Sequence, residues 1–219
     1  KLAQLVGCWV YELHTGGELD NDKITLKLKH GIGQITRIAG ASDQYPRQAA
    51  ISANRLQRYL KENTRLGIPA IIHEECCVGL MSAGSTVYPQ IIGLASTFRP
   101  ELAERMTNDI RKQMRAIGAH QGLAPVLDVG RDPRWGRIEE TFGEDPTLVS
   151  QFGVSYIRGL QGEDLSTGVM ATGKHFVGHS FSLGGMNCAP VHLGERELWD
   201  TYLAPFQAAI RDAGLATMM

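Results

Sequence analysis

Short apolar runs occur four times along the chain, and none has the alternation of apolar and polar positions that marks a half-exposed strand. They lie in residues 68–75, 123–132, 168–175 and 214–219. Parallel strands that are buried on both faces have this pattern, because neither face meets water. We therefore predict that these four runs form strands of one buried parallel sheet.

Helical patterns lie between the runs. In residues 99–118, apolar positions recur every three or four residues and so fall on one face of a helix that begins near Pro100. A helix is also predicted over residues 47–66. The predicted buried stripes consist of Leu102, Met106, Ile110, Met114 and Ile117, of Leu148, Phe152, Ile157 and Leu160, and of Leu198, Tyr202, Phe206 and Ile210. All three stripes are interpreted as core contacts.

Strands that alternate with helices predict right-handed βαβ units around a parallel sheet. The pattern alone leaves both a barrel and an open, doubly wound sheet possible. Four polar residues directly follow the ends of apolar stretches, namely Glu75, Asp128, Lys174 and His175. Because the carboxyl ends of parallel strands converge on one rim, we expect a binding site there.

Composition narrows the class of protein. The 219 residues are 43% hydrophobic and 21% charged, and the formal net charge of −1 favours neither nucleic acid nor an anionic membrane as a partner. No stretch approaches the roughly 18 apolar residues that span a bilayer. Because the chain begins with Lys1 and not with Met, the possibility that a leader has been removed stays open. Cytoplasmic, periplasmic and secreted locations are therefore all compatible with the sequence.

Neither a metal site nor a dinucleotide site is indicated. The four cysteines, Cys8, Cys76, Cys77 and Cys188, lack CxxC spacing and are interpreted as reduced, mostly buried thiols. His73, Glu74 and Glu75 are adjacent, so their side chains point in opposite directions and do not converge on a metal. Residues 31–34, GIGQ, lack the third glycine of a dinucleotide-binding loop and are assigned to a turn.

The rim residues suit a ligand that is rich in hydroxyl groups. Lys174 offers three donors, His175 offers a donor and an acceptor, and Glu75 can accept two hydrogen bonds from neighbouring hydroxyls. Strand alternation allows only one of Glu74 and Glu75 to face the rim. From position alone, an equally good interpretation pairs Lys174 with a core carboxylate and His175 with a backbone carbonyl.

A charged loop follows the second run. Residues 128–146, DVGRDPRWGRIEETFGEDP, carry so many opposite charges that we predict a loop held together by its own ion pairs. One guanidinium could remain unpaired and form bidentate hydrogen bonds with substrate oxygens. Trp135 could stack on a sugar or anchor the loop.

Three motifs in these clusters, RDPRWGR, FGEDP and KHFVG, together resemble the N-terminal domain of family 3 glycoside hydrolases, which are β-glucosidases, β-xylosidases and related exo-acting enzymes. GIGQITR, GIPAIIHEE, LAPVLDV and ERELWDTYLAPFQAAI extend the resemblance over nearly the whole chain. The resemblance implies a (β/α)8 TIM-barrel-like domain over residues 1–219 that is incomplete at its C-terminal side. It also implies a retaining mechanism on terminal β-D-glucosyl or β-D-xylosyl residues of oligosaccharides.

The same resemblance assigns roles to four residues. Arg137 matches the substrate-binding arginine of WGR, Lys174 and His175 match the pair that grips sugar hydroxyls, and Glu75 stands where many members have an aspartate. Val78 replaces a frequent histidine. The stretch SFSLGGMN replaces the Asp–Ser–His triplet of the related β-N-acetylglucosaminidases, so their general-acid chemistry is not expected.

The catalytic residues are not expected within this chain. In the family the nucleophile is an aspartate in an SDW-like motif, and that motif is expected beyond Met219. We therefore expect a substrate-binding portion that needs the rest of the barrel and a second domain, uses no metal or organic cofactor, and is inactive alone. The alternatives are a non-catalytic sugar-binding or scaffold protein and a phosphate-handling barrel. Sugar preference and oligomeric state stay open.

Overall fold

The computed structural model describes residues 2–219, and its strands form one parallel sheet and one small hairpin. The strands are β1 Gly7–Trp9, β2 His14–Thr15, β3 Glu18–Leu19, β4 Gln34–Thr36, β5 Ile71–Glu74, β6 Gln121–Gly122, β7 Met170–Gly173 and β8 Thr217–Met218. The sheet has the order β1-β4-β5-β6-β7-β8 with every pair parallel, and β2 pairs with β3 in the hairpin.

The order of the strands in space follows their order in the chain. A doubly wound sheet would reverse direction at a switch point, so the strand order excludes that alternative and confirms the TIM-barrel-like prediction. Among the residues that the structure describes, β1 and β8 are the two edges and do not pair with each other. The barrel is therefore not closed.

Helices connect most of the parallel strands. They are α1 Asn21–Leu28, α2 Pro46–Asn63, α3 Ile91–Ala95, α4 Pro100–Ala116, α5 Pro146–Gln161, α6 Glu195–Glu197 and α7 Ala204–Ala213. Proline stands at the first position of α2, α4 and α5, where its missing N–H would have no partner within the helix. No helix in residues 2–219 is long and apolar enough to cross a membrane.

Three of the four predicted strands are confirmed, since residues 68–75, 168–175 and 214–219 contain β5, β7 and β8. The prediction for residues 123–132 is confirmed only in part, because β6 ends at Gly122, just before this run. The run nevertheless stays beside β7, since Val126 forms a parallel bridge with Lys174 and the Lys174 backbone N–H donates to the Pro125 carbonyl. β6 was missed because it begins with a polar residue. Gln121 Nε2 donates to Thr172 Oγ1 at 2.9 Å and Thr217 Oγ1 at 3.1 Å, which compensates the burial of the amide nitrogen.

Two more strands escaped prediction because they are only three residues long. β1 begins at Gly7, and β4 begins at Gln34, the last residue of the stretch that was assigned to a turn. In each of these strands only the middle residue, Cys8 or Ile35, is buried. Strands this short offer too few apolar positions to form a recognisable run.

The helical stripes are confirmed with one exception. Met106, Ile110 and Met114 are buried on α4, as predicted. On α7, however, Ile210 is 50% exposed and Ala209 takes the buried position. Leu198 and Tyr202 lie in the π-helical turn Leu198–Tyr202 that precedes α7, so a spacing of four counted from Leu198 does not follow one regular helix to Ile210.

Helices α4 and α5 touch each other at Gly159. A Cβ atom at this position would overlap the Thr107 hydroxyl and the backbone carbonyl oxygen of Glu104. Glycine therefore sets the distance between two of the helices that pack on the sheet.

We expect the substitution Gly159→Ala to lower the free energy of unfolding by about 1–3 kcal/mol, the usual cost of overpacking a tight contact. Urea unfolding monitored by circular dichroism measures this change. Gly93→Ala on α3 is the matched control, because a Cβ there meets no atom within 4 Å. The control should gain up to about 1 kcal/mol from its lower backbone entropy, and an undiminished stability of Gly159→Ala would contradict the packing argument.

Candidate active site

The rim at the carboxyl ends of β5 and β7 brings two of the predicted site residues into contact. Lys174 Nζ donates to Glu75 Oε2 at 3.1 Å, and the other carboxylate oxygen, Glu75 Oε1, lies 3.4 Å from the same nitrogen. Lys174 is only 3% exposed. The peptide bonds Lys174–His175 and Phe176–Val177 are cis. Lys174 is thus paired with a carboxylate, as the alternative interpretation held. The carboxylate belongs to Glu75, which is itself one of the predicted binding residues of the rim.

His175 is fixed by a carboxylate and not by a backbone carbonyl, so that part of the alternative interpretation is wrong. Asp128 Oδ2 accepts one hydrogen bond from the His175 backbone N–H at 2.9 Å and lies 2.7 Å from the ring nitrogen Nδ1. The side chain of Asp128 is 1% exposed. The loop after β6 therefore holds both the main chain and the ring of His175.

Arg137 joins this group from the charged loop. Its Nε and Nη2 donate to the two oxygens of Glu140 at 2.7 and 2.8 Å. Nη2 also lies 3.2 Å from His175 Nε2, and Nη1 lies 3.4 Å from His179 Nε2. The hydrogen bond from Arg137 lowers the pKa of Glu140 below its usual value, so Glu140 stays ionised.

Trp135 supports the group from behind as a buried anchor. It is 2% exposed, and its Nε1 donates to Asn187 Oδ1 at 3.2 Å. Its ring meets His179 edge-on with 5.4 Å between centroids, and the Arg137 guanidinium lies 5.6 Å from its centroid. In this arrangement Trp135 has no open face for a sugar, which settles its role in favour of the loop anchor.

The charged loop is held by its own ion pairs, as predicted. Arg134 pairs with Asp132 at 2.7 Å and Arg137 pairs with Glu140. Arg131 Nη1 lies 4.0 Å from Glu197 Oε1, and Glu197 is the residue before the π-helical turn Leu198–Tyr202. Each loop arginine therefore has a carboxylate nearby.

Glu74 faces away from the rim, as strand alternation predicted. Its Oε1 accepts a hydrogen bond from the Ala39 backbone N–H at 2.6 Å, and Arg37 Nε lies 4.0 Å from Oε2. Burial raises the pKa of Glu74 to about 7, although the amides of Ala39 and Gly40 and the charge of Arg37 oppose that rise. Glu74 thus ties the loop after β4 to the strand that presents Glu75.

All four cysteines are free thiols, with Cys8 and Cys76 buried, Cys77 half-buried and Cys188 exposed. Burial raises the pKa of Cys8 to about 11. Within residues 2–219, no group of three or more His, Cys, Asp or Glu side chains is arranged to hold a metal ion.

The structure brings Glu75, Arg137, Lys174 and His175 to one rim, together with Asp128, which the strand pattern had also placed there without a role. It adds two residues that the sequence did not place in the site. Glu140 follows Arg137 by three residues, which is the spacing of a side-chain pair within one helical turn. His179 lies four residues after His175 with no local pattern to mark it.

Comparisons with known proteins identify the family of this chain. The sequence model of the glycosyl hydrolase family 3 N-terminal domain matches residues 1–219. The chain belongs to glycosyl hydrolase family 3. This membership confirms the resemblance that the three motifs indicated.

Relatives of this family 3 chain carry the names of glycosidases. A β-xylosidase of Formosa agariphila is 42% identical over 167 residues, which cover 72% of this chain and 23% of the relative. A putative β-xylosidase of the same organism is 39% identical over 88% of this chain and 26% of the relative. The chain thus spans about a quarter of the length of these curated relatives.

Solved structures match the family 3 fold over the whole chain. A β-glucosidase from Erythrobacter marinus has a TM-score of 0.87 and 33% identity over 99% of this chain and 29% of the other. A β-glucosidase from Listeria innocua has a TM-score of 0.82 and 29% identity over 100% of this chain and 30% of the other. The open parallel sheet is therefore the fold of a TIM-barrel-like family 3 domain.

The unusual burial of Glu74 predicts a specific pH dependence of stability. Because its pKa is raised from 4.5 to about 7, the folded chain holds this proton between those values and the unfolded chain releases it. Glu74 therefore stabilises the folded chain fully below pH 4.5. As pH rises to about 7, this contribution to the free energy of unfolding is lost, and the loss is about 3 kcal/mol. Glu74→Gln removes the titration but keeps an oxygen for the Ala39 amide.

We expect the stability of Glu74→Gln relative to the unsubstituted chain to increase steadily as pH rises through this window. Urea unfolding at a series of pH values measures the difference, in which the contributions that both chains share cancel. Glu62→Gln, on the exposed face of α2, is the control and should show a constant difference. A pH-independent difference for Glu74→Gln would contradict the assigned burial cost.

Proposed function

We propose that this chain is the substrate-binding part of a retaining exo-β-glycosidase that acts on terminal β-D-glucosyl or β-D-xylosyl residues. The observation that carries the proposal is the convergence of Glu75, Arg137, Lys174 and His175 from three separate segments onto one rim. Relatives named β-xylosidase and β-glucosidase support the reaction class. Listeria innocua β-glucosidase structures with glucose and with laminaribiose support the ligand class.

The rim provides the mixture of donors and acceptors that a pyranose needs. Lys174 uses part of its donor capacity on Glu75, which leaves ammonium N–H groups and carboxylate lone pairs for vicinal hydroxyls. Hydrogen bonds to ionised groups are stronger than neutral ones, so this pair can orient the terminal sugar firmly. Such contacts accelerate hydrolysis only insofar as they tighten when the ring distorts toward the transition state.

The chemistry itself requires two carboxyl groups about 5–5.5 Å apart, one of them a free nucleophile and the other an acid/base. In the described part of the chain, the rim carboxylates Glu75, Asp128 and Glu140 are each engaged by Lys174, His175 or Arg137. An engaged carboxylate is a poor nucleophile and a poor proton donor. We therefore propose that the nucleophile and the acid/base are other residues, expected beyond Met219, and that no cofactor takes part.

The first prediction of this proposal concerns binding. Lys174→Met keeps most of the side-chain volume but removes the charge-assisted donors, so it should weaken binding of D-glucose or D-xylose by about 10-fold or more. Isothermal titration calorimetry measures the change, and circular dichroism checks the fold. Lys112→Met, an exposed residue of α4, is the matched control. Equal sugar affinities of Lys174→Met and the unsubstituted chain would show that Lys174 does not bind the sugar.

The second prediction concerns turnover. Because the rim carboxylates are all engaged, the purified 219-residue chain should bind a sugar without hydrolysing nitrophenyl β-glucoside or β-xyloside. The complete encoded protein should hydrolyse at least one of them. Hydrolysis by the 219-residue chain alone would show that one of the engaged carboxylates reacts.

The alternatives predict different outcomes in the same experiments. A non-catalytic sugar-binding protein would bind sugar as the complete encoded protein and would hydrolyse neither glycoside. A phosphate-handling barrel would bind inorganic phosphate in calorimetry. The pairing of Arg134 with Asp132 and of Arg137 with Glu140 weighs against phosphate, because these guanidinium groups are already neutralised.

A further inference from the structure

We propose that Asp128 is a positioning residue of the sugar site: its carboxylate holds His175 as the neutral tautomer with the proton on Nδ1, so that Nε2 faces the rim as a hydrogen-bond acceptor. This inference rests on the proposed sugar-binding function and adds a residue to it. The strand pattern placed Asp128 at the rim, but neither that pattern nor the family motifs gave it a task there.

The two contacts of Asp128 Oδ2 fix the proton on one side of the ring. This oxygen lies 2.7 Å from His175 Nδ1, and an ionised carboxylate can only accept hydrogen bonds. Nδ1 must therefore carry the proton in this contact. The same oxygen accepts the backbone N–H of His175 at 2.9 Å, so the ring cannot rotate away without losing a buried partner.

The opposite side of the ring leads independently to the same tautomer. His175 Nε2 lies 3.2 Å from Arg137 Nη2, and a guanidinium has donors but no acceptor. Nε2 must therefore present its lone pair. A proton on Nε2 would set a donor against a donor at this distance, so the contacts at both nitrogens agree on one neutral form.

Glu140 keeps Arg137 in place for this contact. Because Glu140 holds Nε and Nη2 in a two-pronged pair, the guanidinium plane is fixed and one Nη2 hydrogen remains directed at His175. Asp128, His175, Arg137 and Glu140 thus form a continuous chain of hydrogen bonds with a carboxylate at each end. Removing the Asp128 end frees the ring, whereas the Glu140 end still holds the arginine.

The functional consequence concerns Arg137, which is one of the proposed sugar-binding residues. With the proton on Nδ1, the lone pair of His175 Nε2 accepts a hydrogen bond from Arg137 Nη2 and helps to hold the guanidinium at the rim. With the opposite tautomer, two donors would face each other at this contact, and the ring or the guanidinium would have to move. Asp128 therefore positions His175 and, through it, Arg137 without touching the sugar itself.

The direct test is nitrogen-15 NMR of the histidine rings in the unsubstituted 219-residue chain, with His175 assigned by the signals lost in His175→Gln. We expect Nδ1 to appear protonated and Nε2 bare at neutral pH. A protonated Nε2 with a bare Nδ1 would overturn the proposal before any variant of Asp128 is made.

Two substitutions then connect the tautomer to sugar binding. Asp128→Leu removes the acceptor and should weaken binding of D-glucose or D-xylose by about 10- to 100-fold, the size of effect found when a carboxylate behind a metal-binding histidine is removed. Asp128→Asn can place its amide oxygen where Oδ2 stands, so it should keep the tautomer and bind within about 3-fold of the unsubstituted chain. Asp109→Leu, an exposed position of α4, is the control.

The outcomes separate this inference from the proposed function. If the unsubstituted chain binds neither sugar, the proposed function fails. If it binds but Asp128→Leu binds equally well, only the role of Asp128 fails. If Asp128→Leu does not fold, the ring spectrum and the Asp128→Asn affinity still decide, because a changed tautomer or a large loss in Asp128→Asn contradicts the acceptor role.

Discussion

The structure depends on the compensation of charges that are buried at the carboxyl ends of parallel strands. Lys174, Asp128 and Glu74 are all nearly inaccessible to water. An isolated buried charge costs several kcal/mol, so each needs a partner at a fixed place. Lys174 has the carboxylate of Glu75, Asp128 has the two N–H groups of His175, and Glu74 has the amides of the loop after β4. The partners come from different βα units, so the rim forms only when the sheet does.

The sequence predicted the parts of the fold that bury an apolar surface and missed the parts that bury a polar one. Strands β5, β7 and β8 were visible as apolar runs. β6 was not, because it begins with Gln121, whose buried amide nitrogen donates to Thr172 and Thr217. β4 was missed for another reason, since it has only three residues and one buried apolar side chain. A hydrophobicity pattern cannot identify a polar residue whose hydrogen-bond partners lie some 50 or more residues away.

The site was predictable to a different extent. Motifs shared with family 3 pointed to Glu75, Arg137, Lys174 and His175, and the structure places all four at one rim. Their supporting residues were not predictable, because the charged loop contains several carboxylates and the sequence does not say which one pairs with which arginine. Only tertiary placement selects Glu140 for Arg137 and Asp128 for His175.

The charge balance of the assembled rim fits a neutral ligand such as the proposed sugar better than an anion. Its two cations, Lys174 and Arg137, face three carboxylates, Glu75, Asp128 and Glu140, which gives a formal charge of −1 when the histidines are neutral. An anionic ligand such as a phosphate would meet a surplus of negative charge. A neutral sugar would not, and a ring that develops positive charge, as in the oxocarbenium-like transition state of glycoside hydrolysis, would be stabilised by it. Under the proposed function, the pairing that makes these carboxylates poor nucleophiles leaves their field available to the reaction.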